Sequence, residues 1–196
     1  LKILDPDWCK PFDANRKGLN LGEGAAYLVL ESEEHLELRN GKALATVEGY
    51  GNANDAFHQT ASSPNAIGAT LAIQRAIQMA EIHPNEIGYI NAHGTGTNNN
   101  DASELTAFNN VFDDQRIPYS STKAYTGHTL GAAGAVEAVA SILTLTRELA
   151  FPSLNISEHM TTYPPLVEVD GLQTDYVMSN SFGFGGNCTT LIFGRA

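Results

Sequence analysis

The chain has 196 residues, and its 22 acidic against 11 basic side chains give it a net charge of −11. This charge repels phosphate backbones and anionic headgroups, which argues against nucleic acid and membrane surfaces as partners, and no apolar stretch approaches the roughly 20 residues that span a bilayer. A chain of this length and hydrophobic content predicts one compact domain. Its two cysteines, Cys9 and Cys188, lie far apart without a CxxC pair, which argues against a disulfide framework and a zinc site and favours a reduced cytoplasmic setting.

The first part of the chain predicts two strands and two helices. Glycines followed by an apolar run, "GEGAAYLVLES" at Gly22–Ser32, predict a strand covered on both faces. A short charged helix is expected over Glu33–Arg39. Strand-like alternation begins at Lys42 and gives way to loop-forming Gly, Asn and Asp before Asp55, and residues Phe57–Ser63 are expected to be loop. Apolar residues at helical spacing predict an amphipathic helix over Ala66–Ala80.

The middle of the chain predicts a strand, a helix and a second, shorter strand. The apolar run Ile87–Ala92 favours a strand, and Asp101–Phe112 favours a helix in which Asp101 is the cap and Glu104 completes a capping box. A short strand is expected over Ile117–Ser121.

The last part of the chain predicts a buried helix and a pair of antiparallel strands. The segment from Ala132 to Arg147 is almost entirely small and apolar, which is typical of a buried helix, and its Glu137 then needs a partner. An irregular stretch, Phe151–Pro165, precedes two strands, "YVMSNSF" and "NCTTLIFG", joined by the tight loop "GFGG". The whole pattern indicates a layered α/β domain with a mixed sheet.

Three polar side chains in Gly- and Thr-rich loops are candidates for chemistry. The loop "NAHGTGTNNND", Asn91–Asp101, follows a predicted strand, which is where α/β sheets usually bind ligands. It carries His93, and the later loop "TKAYTGHTLG" carries Lys123 and His128. Two imidazole N–H groups beside an ammonium suit a reaction that builds negative charge on a carbonyl oxygen.

Four motifs in order resemble those of the β-ketoacyl-[acyl carrier protein] synthases, condensing enzymes of the thiolase superfamily. They are "KPFDANRKGLNLGEGAAYLVLE", "NAHGTGT", "SSTKAYTGHTLGAAGAVEA" and "SNSFGFGGNCTTLIF". The resemblance covers essentially the whole chain. It implies that residues 1–196 form the carboxyl-terminal half of a thiolase-like αβαβα layered fold.

The resemblance also implies a reaction and roles for the loop residues. In the family an acyl group is carried on a cysteine, a malonyl thioester loses carbon dioxide, and the resulting enolate attacks the acyl thioester to give a 3-oxoacyl product. By motif, His93 and His128 would stabilise the enolate and Lys123 would support them. Thr95 and Thr97 would hydrogen-bond the phosphopantetheine arm, which arrives on the acyl carrier protein, so that no other cofactor is required.

Further positions are assigned by the same resemblance. Phe184 would be a gate beside the acyl pocket, in a loop freed by Gly183, Gly185 and Gly186, whereas Phe182 would pack the pocket wall. His58 would lie near the pantetheine channel, Glu104 would support the catalytic groups, and Asp101 would be mainly structural. In some members of the family, the residues at four matching positions surround a structural cation. In this chain the four positions are Asn91, Glu137, Ser179 and Asn180. The alternative is that they form a hydrogen-bonded cluster without a metal ion.

The main departure from the family is the nucleophile. The family's cysteine lies in an elbow of small residues, and neither Cys9 in "DWCKPFD" nor Cys188 in "NCTTLIF" resembles it. We therefore expect that the amino-terminal half supplies it, that this chain alone does not complete the condensation, and that its Ala132–Leu145 region meets that half. The alternative is a non-catalytic, chain-length-factor-like or scaffolding subunit.

The expected partners are the acyl carrier protein, the amino-terminal half and, in the complete enzyme, a second copy in a homodimer. Carrier proteins are acidic, so a chain of net charge −11 attracts them little. A basic docking patch is expected in the missing half or locally at Lys10, Arg16 and Lys17.

Overall fold

The computed structural model describes residues 3–168 and 171–196, and over these residues the chain forms one five-stranded sheet with helices on both faces. Residues 1, 2, 169 and 170 of the predicted domain lie outside this description. The helices and strands in chain order are α1 (Glu33–Leu38), β1 (Thr46–Asn54), α2 (Ile67–Ala80), β2 (Ile87–Asn91), α3 (Asn98–Phe112), β3 (Tyr119–Ser120), α4 (Lys123–Thr126), α5 (Ala133–Arg147), β4 (Tyr176–Phe182) and β5 (Asn187–Gly194).

The sheet is mixed, as the sequence predicts. Its strand order is β1-β5-β4-β2-β3. The β5 strand runs antiparallel to both β1 and β4, and β2 runs parallel to β4 and to β3. Because β2, β3 and β4 point the same way, the loops that follow them meet at one edge of the sheet, and these loops carry the candidate functional residues.

One face of the sheet packs against α2 and α3. Ile73 of α2 and Phe108 of α3 are fully buried there in one cluster with Ile90, Met178 and Ile192 from the strands. The approach of α2 is close, because a Cβ atom on Gly51 of β1 would lie 1.9 Å from the Ala72 carbonyl oxygen. This packing explains the small residues of β1.

The other face of the sheet packs against α5. Tyr89, Val177 and Phe193, which alternate with the strand residues of the first cluster, form a second cluster with Ala138 and Leu145 of this helix. The helical segment Leu130–Arg147 is long and apolar enough to cross a membrane by length and composition, so the expectation that no apolar stretch approaches that length is wrong. Its buried face and the buried ion pair of Glu137 are features of a helix packed on a sheet.

Several predicted elements agree with the structure. The α2 helix, the strand β2, and the hairpin strands β4 and β5 occupy the predicted residues to within one position, and α1 forms as a short charged helix. The irregular stretch after α5 has no helix or strand.

Three predictions are wrong. Gly22–Ser32 forms no strand, and its apolar side chains are largely exposed. The β1 strand continues through its Gly and Asn residues to Asn54, because it pairs with β5 along its whole length. The α3 helix begins at Asn98 with Thr97 as its cap, so Asp101 lies within the first turn and is free to bond elsewhere.

Candidate active site

The His93 loop is held by two buried carboxylates of α3. Glu104 accepts hydrogen bonds from the backbone N–H groups of His93 and Gly94, both at 2.9 Å. Asp101 accepts from the N–H groups of Thr95 at 3.1 Å and Gly96 at 3.2 Å. The loop therefore has its backbone donors satisfied by the helix that follows it, and the predicted capping box is replaced by this arrangement.

Lys123, at the start of α4, joins His93 to α5. Its Nζ lies 3.2 Å from His93 Nδ1 and 2.5 Å from the His93 carbonyl oxygen. It also forms an ion pair with Glu137 Oε1. Lys123 and Glu137 are each only 2% exposed, so Glu137 has the partner that its burial requires.

His128 is held by the segment that follows the N-terminal stretch. Its N–H donates to the Asn20 carbonyl at 2.7 Å, and its carbonyl accepts from the Gly22 N–H at 3.1 Å. The Leu130 N–H donates to His128 Nδ1 at 3.2 Å. The His128 ring lies 5.3 Å from the His93 ring, centroid to centroid, and nearly perpendicular to it.

Both imidazoles are neutral donors at neutral pH. The pKa of His93 lies well below its usual 6.5, mainly because the ring is buried and to a smaller extent because Lys123 and His128 are near it. Burial, and after it the charge of Lys123, lowers the pKa of His128 to about 4. An ammonium and an amide N–H can only donate, so Nδ1 of each ring accepts and its proton resides on Nε2. The site therefore contains two adjacent Nε2–H donors.

Burial raises the pKa values of the buried carboxyl groups, and different neighbours oppose that rise at each of them. Burial raises the pKa of Glu104 to about 7, while the N–H groups of Gly94 and His93 and the amide of Asn180 favour its ionised form. Burial also raises the pKa of Glu137, against the pull of the Lys123 ammonium. The carboxylate that pairs with Lys123 is Glu137, while Glu104 and Asp101 bind the loop backbone.

Thr95 and Thr97 contact each other at the end of the His93 loop. Their hydroxyl oxygens lie 2.9 Å apart, and Thr97 Oγ1 also accepts from the Asn100 N–H at 3.4 Å. Thr95 is buried and Thr97 is half-buried. Two hydroxyls that share one hydrogen bond retain one free proton, which is available to a ligand.

The two phenylalanines at the end of β4 differ in exposure. Phe182 is 9% exposed and its ring lies 5.8 Å from that of His93, whereas Phe184 is 61% exposed. Gly185, next to Phe184, has a φ of +79°, which favours glycine. Its N–H donates to the Gln59 carbonyl at 2.8 Å, so the exposed His58 lies in a loop bonded to the Phe184 turn.

The predicted cation set divides into two parts. Among the described residues, Asn91 Oδ1 and Glu137 Oε2 are buried without a hydrogen-bond partner, and Ser179 is the strand neighbour of Asn91. Asn180, in contrast, accepts from Thr190 at 2.8 Å and donates to Glu104 at 3.2 Å. The free oxygens of Asn91 and Glu137 fit a hard cation, and the Asn180 side chain does not.

The role of the N-terminal segment could not be seen in the sequence patterns. Arg16 is 8% exposed, lies 3.5 Å from Asp101, and donates to the carbonyl oxygens of Thr97 at 3.3 Å and Asn98 at 3.0 Å. The Phe12 N–H also donates to Asp101, at 2.8 Å. Asp101 is fully buried, and no pattern in the sequence indicated that burial or the nearby Arg16. Because Arg16 is used internally, it is not part of an exposed basic patch with Lys10 and Lys17.

The chain is similar to known condensing enzymes. A family model described as "Beta-ketoacyl synthase, C-terminal domain" matches residues 44–157. The 3-oxoacyl-[acyl-carrier-protein] synthase 2 of Mycobacterium bovis is 38% identical over 194 residues, which are 95% of this chain and 46% of that protein. The chain thus spans about half the length of the curated relatives it matches.

Two solved structures show the same fold. The ishigamide ketosynthase/chain length factor has a TM-score of 0.93 and 37% identity over 100% of this chain and 49% of its own. A type II polyketide ketosynthase, AntDE, whose structure includes its acyl-carrier protein AntF, has a TM-score of 0.92 and 29% identity over 96% of this chain and 48% of its own. The fold is therefore the thiolase-like α/β fold of ketosynthases, and the chain belongs to the β-ketoacyl synthase C-terminal domain family.

Proposed function

We propose that residues 1–196 form the carboxyl-terminal domain of a 3-oxoacyl-[acyl carrier protein] synthase. The reaction joins a malonyl thioester to an enzyme-bound acyl thioester, releasing carbon dioxide and the enzyme thiol and forming a 3-oxoacyl thioester. The observation that supports this proposal is the pair of neutral imidazoles of His93 and His128, whose ring centroids lie 5.3 Å apart. In each ring Nδ1 accepts a hydrogen bond, so Nε2 carries the proton. The relatives' names support the reaction class.

The two imidazoles act on the malonyl thioester oxygen. As the bond to the departing carboxylate breaks, its electron pair forms an enolate, and negative charge develops on the thioester oxygen. The Nε2–H groups of His93, which is buried, and of His128, which is half-buried, donate to that oxygen, and shielding from water makes such donors more effective. The enolate carbon then attacks the acyl carbonyl and expels the enzyme thiolate.

Lys123 keeps His93 in the form that donates. Its ammonium contacts Nδ1, which prevents that nitrogen from carrying the ring proton, and its charge opposes protonation of both rings. Glu137 balances the ammonium charge. A cation bound to the free oxygens of Asn91 and Glu137 would add positive charge beside the Lys123–Glu137 pair, and no step of the reaction depends on it.

The remaining groups would bind the substrates. The free hydroxyl proton of the Thr95–Thr97 pair supports a hydrogen bond to a phosphopantetheine arm carried by an acyl carrier protein. The exposed Phe184 on its glycine-rich turn supports a gate, and the buried Phe182 beside His93 supports a pocket wall. The acyl-bearing cysteine would come from the half that the relatives have and this chain does not span.

A chain-length-factor-like role is the weaker proposal. Neighbouring structures include a ketosynthase with its chain length factor, so similarity in fold does not separate the two roles. The Lys123–Glu137 pair and its contact with His93 place two charges in the interior, which is costly. A purely structural subunit would have no use for a buried ion pair that costs this desolvation free energy.

The test measures condensation by a protein that contains this chain together with the half of the relatives that this chain does not span. Malonyl-[acyl carrier protein] and an acyl thioester are supplied, and 3-oxoacyl product is measured by mass spectrometry. We expect the wild type to form product and the rate to fall by about 10²-fold or more in His93→Gln and in His128→Gln. The exposed control His159→Gln should form product at the wild-type rate. Equal rates in all variants would overturn the proposal.

A further inference from the structure

Arg16 is a buried arginine that binds the backbone at the end of the His93 loop. Its guanidinium donates from Nε to the Thr97 carbonyl oxygen at 3.3 Å and from Nη2 to the Asn98 carbonyl oxygen at 3.0 Å. The third nitrogen, Nη1, donates to the Asp13 carbonyl oxygen at 2.9 Å. All three nitrogens are therefore in use, and a planar group with fixed donor directions holds two consecutive carbonyl groups of one turn.

Asp101 binds the other side of the same turn. Its Oδ1 accepts from the N–H groups of Thr95 at 3.1 Å and Gly96 at 3.2 Å, while its Oδ2 lies 3.5 Å from Arg16 Nε. Arg16 thus binds carbonyl groups of the turn, Asp101 binds its N–H groups, and the two side chains are paired with each other. The backbone on either side of Thr97 is held by one buried ion pair.

The segment that carries Arg16 also packs directly on this turn. A Cβ atom on Gly96 would lie 2.7 Å from the Gly18 carbonyl oxygen and 3.6 Å from Cys9 Cβ, so the two backbones are in close contact. Gly96 has a φ of +78°, a conformation that glycine adopts without strain. The turn therefore has no space in which to change shape unless residues 9–18 move as well.

This turn presents the hydroxyl groups of Thr95 and Thr97. Thr97 is the N-cap of α3, with φ −87° and ψ 146°, and its Oγ1 lies 2.9 Å from Thr95 Oγ1 and accepts from the Asn100 N–H at 3.4 Å. Because Arg16 binds the carbonyl group of Thr97 itself, it fixes the peptide plane next to the Cα atom that carries this hydroxyl. The direction of the hydroxyl pair thus depends on a residue outside the loop.

We propose that Arg16 is a positioning residue for the pantetheine arm, and that it acts through the backbone of Thr97 to hold the Thr95–Thr97 pair where an amide group of the arm binds. The inference rests on the proposed function, in which those hydroxyls bind the arm. It adds a residue that determines the affinity for pantetheine-linked substrates without contacting them.

The contacts of Arg16 are separate from those that hold the reacting imidazole. His93 is held through its N–H by Glu104, and through its ring and its carbonyl oxygen by Lys123. None of these bonds includes Arg16. Loss of the guanidinium should therefore weaken binding of the arm and leave the donors to the thioester oxygen in place, whereas a general loss of structure would impair both.

The experiment measures condensation by a protein that contains this chain together with the half of the relatives that this chain does not span. Two malonyl donors are compared: malonyl-pantetheine, and the thioester of malonic acid with ethanethiol, which has no amide group for the Thr95–Thr97 pair to bind. Arg16→Lys keeps the charge and loses the planar group, and Arg16→Gln, the second variant, keeps an amide donor without the charge. Arg195→Lys is the matched control, because Arg195 is exposed. Urea denaturation verifies that the variants fold.

We expect the KM for malonyl-pantetheine to rise by about threefold or more in both Arg16 variants, with kcat within about twofold of the wild type. The kcat/KM for the ethanethiol thioester should stay at the wild-type value, and the control should match the wild type with both donors. An unchanged KM for malonyl-pantetheine, or a loss of the same size with both donors, would overturn the proposal.

Saturation-transfer NMR with free pantetheine separates this inference from the proposed function. The wild type and Arg195→Lys should transfer saturation to the pantetheine protons, and the transfer should fall by about threefold or more in Arg16→Lys. That result in a protein that forms no 3-oxoacyl product would overturn the proposed function and leave the role of Arg16 intact. Condensation by the wild type with equal transfer in the wild type and Arg16→Lys would overturn the role of Arg16 and leave the proposed function intact.

Discussion

Lys123 and His93 are joined at two points, because Lys123 Nζ lies 3.2 Å from the ring Nδ1 and 2.5 Å from the main-chain carbonyl oxygen of His93. An ammonium has three protons, and Glu137 accepts the third. Lys123 therefore fixes the ring and the backbone of His93 together and places the ring proton on Nε2. This contact connects the loop after β2 with α4 and α5.

Replacing Lys123 by methionine should damage both stability and condensation. The change leaves the Glu137 carboxylate buried without its cation, which costs about 3–5 kcal/mol of unfolding free energy. It also removes the donor to His93 Nδ1, so either tautomer of the ring becomes accessible, and we expect condensation to fall by about 10²-fold or more. Urea denaturation and the product assay measure the two effects.

The double variant Lys123→Met with Glu137→Gln separates those effects. Because it removes both charges, it should regain most of the lost unfolding free energy. Its rate of condensation should remain as low as that of the single variant, since His93 still lacks its donor. Recovery of the rate together with the stability would contradict the role assigned to Lys123.

The pKa values of His93 and His128 predict how stability depends on pH. Both are lower in the folded protein than in the unfolded chain, where an imidazole titrates near 6.5. Between the two values the unfolded chain binds more protons, so the stability from these groups is complete above pH 6.5 and is lost as pH falls toward and through about 4. Condensation should therefore persist below pH 6.5, because the rings stay neutral.

The measurement compares urea unfolding of the wild type with that of His128→Gln from pH 4 to pH 7.5. The difference isolates His128 from Glu104, whose raised pKa of about 7 contributes the opposite slope between about 4.5 and 7. The wild type should gain stability relative to the variant as pH rises from about 4 to 6.5. A difference that does not vary with pH would show that the His128 pKa is the same folded and unfolded.

Local patterns were sufficient for the parts of the fold that are complete within the chain. The helix α2 and the hairpin of β4 and β5 bury their apolar residues against neighbours present here, so period and turn residues predict them. The pattern failed at Gly22–Ser32, where the apolar run is real but, within the described residues, no strand pairs with it and most of its apolar side chains are exposed. The residues of a segment determine whether it favours an extended strand. Whether the strand forms depends on a neighbouring strand that accepts its backbone hydrogen bonds.

Side-chain networks were less predictable than elements. His93, Lys123 and His128 could be grouped from the sequence because all three lie in Gly- and Thr-rich loops, but the hydrogen-bond partners of Asp101 could not be predicted. Its position three residues before Glu104 suggests a capping box, and the cap is instead Thr97, because a buried carboxylate gains more from the N–H groups of Phe12, Thr95 and Gly96. Local signals do not show which distant backbone donors will be available.

Truncation of Phe182, the last residue of β4, and of Phe184, in the turn that follows, should affect stability differently. Phe182→Ala removes a buried ring beside His93 and should cost about 3–5 kcal/mol of unfolding free energy. Phe184→Ala removes an exposed ring and should change stability by less than about 0.5 kcal/mol. If Phe184 is a gate, its loss should change the rate of acyl transfer from long-chain donors while leaving the urea midpoint unchanged. Equal losses of stability would contradict the distinction.

Neither cysteine should accept an acyl group in the folded protein. The thiolate is the reactive form, and burial raises the pKa of Cys9 and raises that of Cys188 to about 12, so both thiols stay protonated at neutral pH. Cys9 also donates to the Lys123 carbonyl oxygen at 3.4 Å. Exposed to an acyl thioester at pH 7.5, the folded chain should keep its mass, whereas iodoacetamide in urea should add two groups. Any thioester on Cys9 or Cys188 would show that this chain holds the nucleophile, and the acyl-bearing role assigned to the half of the relatives that this chain does not span would then be wrong.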